Sequence, residues 1–240
     1  MAVTLGASGV TFSNGATQTT RPTGGLAING TDRGDFVDMQ SFPVSGTWTN
    51  SYGATMVHVK LVGGGGGGAG YCEGGGAGCY AENVFNVSGV GSVAVTVGGG
   101  GGYASYSAAA GQGGTSSFGS YMSAIGGYGA NQQYAHSGGH GGNSAAGQAV
   151  HVQGGGGCGH INGVGHGSVS SMGGASYFGG AQAHIRNHGN LGWAVQHGTY
   201  AGAPGSGGPG NVTDWTYTGA RGHTAGEYGQ RGIVIIYAYK

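Results

Sequence analysis

The chain has 240 residues, of which 64 are glycine, while charged residues make up 6% and seven Lys plus Arg balance seven Asp plus Glu. Glycine usage is far above the usual level of about 7%, and a neutral chain of so few charges leaves no footprint for nucleic acid or an anionic membrane. Four prolines are too few for a collagen triple helix, and the apolar runs fall well short of the roughly 20 residues that cross a bilayer.

The opening MAVTLGASGV has neither a charged n-region nor a continuous apolar stretch, so no secretory leader is expected. Cys72, Cys79 and Cys158 are odd in number and form no CxxC pair, which points away from a zinc ribbon or a disulfide framework. The sequons at Asn29, Asn86 and Asn211 are then read as chance. Asp32, Asp35 and Asp38 fall in an expected linker between two regions. The composition changes near Leu61: nine glycines occupy the first 60 residues and 55 the remainder.

Four stretches read as strands. Val57, Val59 and Leu61 alternate with His58 and Lys60, and Val93, Val95 and Val97 alternate with Ala94 and Thr96. A period of two marks half-buried strands. Phe85 and Val87 fit a third. The chain closes on Ile233, Val234, Ile235, Ile236 and Tyr237, a near-continuous apolar run suited to a central strand covered on both faces. Trp48 and Phe85 are assigned to the strand core and Tyr237 and Tyr239 to its C-terminal end.

Between Gly98 and Gly232 strand signals are scarce, and frequent glycine disfavours helix by about 0.5 to 1 kcal/mol per residue. Flexible coil is the alternative, but the segment carries most of the tyrosine together with Trp193 and Trp215. We therefore expect polyglycine II, the glycine analogue of polyproline II, with three residues per turn. Such helices have no internal hydrogen bonds, so neighbouring helices must supply partners, and a missing Cβ lets the backbones approach. The expected fold is all-β: a small N-terminal β region, then a glycine-rich β-sandwich-like domain with bundled polyglycine II helices and almost no α-helix. Loops with aromatics would project from the bundle, and Tyr103, Tyr106, Tyr128, Tyr134, His136, Tyr177, Phe178, Trp193 and Tyr200 are the candidate binding residues.

The strings SFPVSGTWTN, MVHVKLVGGGGGG, AENVFNV, SVAVTVGGGGG, GGTSSFGS and RGIVIIYAYK follow one another from Ser41 onward. In that order they resemble the glycine-rich domain of bacteriophage tail fibres and tail-tip proteins. The opening VTLGASGVTFSNGATQT is similar to the short β-rich segment that begins many fibre and collar proteins, with Asn14-Gly15 as a hairpin turn. The later glycine runs are more loosely similar to the distal adhesins of T-even phages, whose glycine-rich motifs form a polyglycine II sandwich. The resemblance implies a virion tail component, assembled in the host cytoplasm, that binds a bacterial surface receptor, polysaccharide or outer-membrane protein. Residues 1–40 would attach to other tail proteins and 41–240 form the distal receptor-binding domain. A homotrimer is expected, with a monomeric cap as the alternative assembly.

Catalysis, cofactors, nucleic acid and membrane insertion are not expected. Lys60 and Lys240 are the only lysines and neither follows a glycine run, so there is no P-loop, and Glu73, Glu82, Asp214 and Glu227 are scattered. Ten histidines include the pairs His136/His140 and His184/His188, but that spacing does not converge without a helix, and no metal is expected. A structural or ice-binding polyglycine protein is the alternative, and a glycan depolymerase a more distant one.

Overall fold

The computed structural model describes three short N-terminal strands and residues 35–70, 73–105, 108–131, 139–143, 145–158, 171–181, 202–210 and 226–240. Among the described residues it is all-β, with thirteen strands and no helix. Strands β1 (Val3–Gly6), β2 (Gly9–Phe12) and β3 (Thr17–Gln18) form an antiparallel sheet. β2 and β3 pair Val10 with Gln18 and Thr11 with Thr17; the Asn14-Gly15 turn expected between them lies outside the described residues.

The remaining strands make two five-stranded antiparallel sheets. One runs β12 (Val150–Val152), β7 (Tyr80–Asn86), β6 (Met56–Val62), β13 (Ile233–Tyr239), β4 (Phe36–Phe42). The other runs β11 (Ala145–Ala146), β10 (Met122–Ala124), β9 (Ser116–Phe118), β8 (Ser92–Thr96), β5 (Gly46–Thr49). Their inner faces share one core: Val57, Val59, Leu61, Val234 and Ile236 from the first sheet meet Trp48, Val95, Phe118 and Met122 from the second. Trp48 is buried and meets Phe118 edge-on at 5.9 Å. The alternating valines thus do what their period predicts, and β13 lies inside its sheet, between β6 and β4, but it is fully buried on one face only, so its near-continuous apolar run is not covered on both.

A further expectation needs correction. Asp38 is not in a linker: it lies in β4 opposite Ala238, and its carboxylate accepts 2.7 Å from Gln40 Nε2. The stretch after Gly98, where strand signals are scarce, holds four strands, β9 to β12. They are two or three residues long, too short for a period of two to show. Gly89 and Gly119, at φ of 76° and 49°, turn the chain from β7 to β8 and from β9 to β10, a conformation that glycine adopts without a Cβ clash.

Beyond the sandwich the strands run straight on into extended glycine lanes. β6 continues as lane 1 (63–70), lane 2 (73–79) leads into β7, β8 continues as lane 3 (98–104), and lane 4 (110–114) leads into β9. Lane 5 (125–130) follows β10, lane 6 (139–142) precedes β11, lane 7 (154–158) follows β12 and lane 10 (226–232) leads into β13. Lanes 8 (172–175) and 9 (205–210) complete the set among the described residues.

Lane 1 shows how the lanes are held. Gly63, Gly66 and Ala69 donate to Cys79, Gly76 and Glu73 of lane 2; Gly64 and Gly67 donate to Gly114 and Gly111 of lane 4; Gly65 and Gly68 donate to Gln230 and Glu227 of lane 10, all at 2.8–3.0 Å. Its carbonyls repeat the period: Gly64 and Gly67 accept from Gly127 and Ala130 of lane 5, Gly65 and Gly68 from Gly101 and Ala104 of lane 3, and Gly66 from Gly208 of lane 9. A helix with three residues per turn sends successive peptide groups in three directions, and this one therefore meets six neighbours. Lane 2 is likewise surrounded, by lanes 1, 5, 6, 7, 8 and 9. The lattice has three layers: lanes 4, 5 and 6; lanes 3, 1, 2 and 7; lanes 10, 9 and 8. A Cβ on Gly64, Gly66 or Gly75 would overlap a neighbouring carbonyl.

Candidate functional site

Among the described residues of the lattice, the tyrosines of lanes 3, 5 and 10 stand at its outer surface. On lane 5 every third residue faces out, which presents Tyr128, 41% exposed, between exposed Gln112 on lane 4 and His140 on lane 6. Tyr128 N–H donates to the His140 carbonyl at 2.9 Å, and Gln112 Nε2 reaches the Gly126 carbonyl at 3.4 Å. A ring, an amide and an imidazole thus stand in one row across three rigid lanes. Around the edge, Tyr103 of lane 3 and Tyr228 of lane 10 meet edge-to-face at 4.9 Å, both well exposed.

Tyr177 and Phe178 sit elsewhere, at the junction of lattice and sandwich. Tyr177 stacks on Tyr80 with ring centroids 3.6 Å apart, and Phe178 meets Tyr80 edge-on at 5.7 Å. Tyr80 is thereby buried, while Tyr177 leaves 52% of its own surface outside. The Tyr80 hydroxyl donates to the Glu82 carboxylate, whose other oxygen lies 2.7 Å from His58 Nε2. The Tyr80 hydrogen bond, with His58 and Lys60 nearby, holds the Glu82 carboxyl below its usual range, and burial together with Glu82 pushes the Tyr80 hydroxyl up. Both shifts favour the same proton position, with the proton on tyrosine and the charge on the carboxylate.

Tyr106, Tyr134, His136, Trp193 and Tyr200 lie outside the described residues. Tyr103 and Tyr128 are brought onto the lattice surface, but on different sides of lane 4, and Tyr177 with Phe178 form a separate group. Sequence reasoning missed Tyr228, Gln112 and His140. Tyr228 carries the signal that picked out the others, an aromatic close to glycines; Gln112 and His140 carry none, because only the lane order puts them beside Tyr128.

Burial raises the carboxyl of Glu73, which is wholly enclosed at one end of lane 2, from 4.5 to about 7, and the buried Cys79 thiol from 9.0 to about 11. Cys79 and the exposed Cys158 are both free thiols. Among the described residues no three His, Cys, Asp or Glu side chains are grouped to hold a metal ion, and no helix is long and apolar enough to cross a membrane.

Fold and surface together give a β-sandwich extended into a close-packed glycine lattice, whose outer lanes expose Tyr103, Gln112, Tyr128, His140, Tyr228 and Arg231. The chain matches the glycine-rich domain family over residues 40–239, and it belongs to that family. No curated protein shows significant similarity to the chain.

Proposed function

We propose that the protein is a bacteriophage tail-fibre or tail-tip component that attaches the virion to a bacterial surface receptor by binding alone. The observation that carries this reading is the lattice surface, where Tyr128, Gln112 and His140 are held in one row by backbone bonds on lanes that cannot shift independently. Tyrosine gives a large amphipathic contact area at low entropic cost, and amide and imidazole groups hydrogen-bond sugar hydroxyls or peptide groups equally well. The ordered strings from Ser41 to Lys240 add the similarity to fibre and tail-tip proteins. Individual contacts of this kind are weak, and several copies on one particle raise the avidity. The test is binding of purified protein to whole cells of a strain panel that includes lipopolysaccharide-truncated and porin-deleted members. Tyr128→Ala and Tyr103→Ala should each weaken binding to a susceptible strain at least several-fold with an unchanged melting temperature. Full binding by the double variant would remove the lattice surface from the reading.

A further inference from the structure

The two outer faces of the sandwich are chemically opposite. The sheet of β5 and β8 shows Thr47, Thr49, Ser92 and Thr96 to solvent, as an antiparallel sheet with one wet face should. The sheet of β4, β13, β6, β7 and β12 does not follow that rule. Its outward positions carry Phe36, Met39, Met56, Val84, Val150 and Val152, each between 37% and 59% exposed. The face is continuous because cross-strand partners share a side of the sheet: Tyr237 pairs with Met39 on one flank and His58 on the other, His58 with Val84, and Glu82 with Val150. Among the described residues, the corner at Tyr80 is sealed by Tyr177 and Phe178 and the rest of the face is open. The apolar closing strand that reads as covered on both sides is covered fully on one.

We propose that this face is where copies of the chain meet, each sheet covering the same sheet of another copy. Its charges suit a self-pairing surface. Lys60 and Glu82 are cross-strand partners, Lys60 Nζ lies 5.7 Å from the Tyr237 ring centre and His58 holds Glu82, so the centre of the face balances one base against one acid. Two such faces meet without like-charge repulsion. Five strands about 4.8 Å apart and up to seven residues long at about 3.4 Å per residue give roughly 500 Å² in plan. Two copies then cover roughly 1,000 Å², the lower threshold that a specific interface has to clear. The proposal does not depend on what the lattice surface binds.

The test is sedimentation equilibrium of the full chain at micromolar concentration, with Val84→Lys, Met39→Lys and, on the opposite sheet, Ser92→Lys. The wild type and Ser92→Lys should be oligomeric, and each of the other two should dissociate at least tenfold more readily while keeping the wild-type circular dichroism. A folding failure in Val84→Lys leaves Met39→Lys, on the edge strand, to decide. In a Cys158→Ser background, which removes that exposed thiol, Met39→Cys should also cross-link between copies through a short bis-maleimide, whereas Ser92→Cys should not. A monomeric wild type, including one whose own residues 1–34 cover the face, overturns the proposal. So does an oligomer indifferent to Val84→Lys and Met39→Lys.

Discussion

Gly65→Ala is the sharpest probe of the lattice. A methyl group at this position of lane 1 overlaps the Ser206 carbonyl of lane 9, and that carbonyl accepts from Gln230 N–H at 2.8 Å. Gln230 in turn accepts from Gly65 N–H at 2.8 Å, and the Gly65 carbonyl accepts from Gly101 at 2.8 Å. Moving lane 1 or lane 9 far enough to admit the methyl therefore strains three bonds around the buried Gly65. Each buried group left unsatisfied costs about 1 to 3 kcal/mol, so losing all three bonds costs about 3 to 9 kcal/mol. Total stability of an ordinary domain is about 5 to 15 kcal/mol. Gly99→Ala, on the outer side of lane 3, is the control: no atom lies within 4 Å of the added Cβ, and the change should stabilise by about 0.4 to 1 kcal/mol through the unfolded chain. Urea unfolding, followed by fluorescence with the buried Trp48 as one reporter, gives both values. If the two variants unfold at the same midpoint, the glycines are not packing material and the lattice argument fails.

Further outcomes follow from single residues. Glu73 holds a proton in the folded chain that the unfolded chain releases, so its contribution is fully favourable below pH 4.5 and is lost as pH rises through about 7. The loss amounts to about 3 kcal/mol; Glu73→Gln should flatten the fall in urea midpoint between pH 5 and pH 8, and an unchanged slope would acquit this carboxyl. Glu82 behaves in the opposite sense, since its carboxyl is held low: its contribution is present above the usual carboxylate range and disappears as pH falls below it. Glu82→Gln should reduce acid sensitivity in a pH titration of the melting temperature. Tyr177→Ala exposes the Tyr80 ring that it stacks on and should lower stability by about 0.5 to 1.5 kcal/mol; loss of receptor binding with no loss of stability would make Tyr177 a contact residue instead.

Much of the sandwich is legible because strands report locally. Val57, Val59 and Leu61 need only their own alternation to show which side is buried, and the glycine content alone disfavours helices and calls for lateral hydrogen bonding. Boundaries are less legible: β4 begins at Phe36, so the sequence boundary at residue 40 falls inside a strand whose Asp38 reads as linker. Lane neighbours are not legible at all. Gly65 and Gly99 both sit in runs of glycine, yet one is enclosed by six lanes and the other faces open space.

Residue type and periodicity thus determined that this chain is all-β, that its glycines must satisfy one another, and which strands carry the core. The tertiary structure alone decided that lanes 1 and 2 are central, that Tyr128 stands between Gln112 and His140, and that Tyr177 closes over Tyr80. The physical reason is the threefold helix itself. Its consecutive peptide groups point at different neighbours, many of them tens of residues away in sequence, so local pattern specifies that a partner is needed but not which lane provides it.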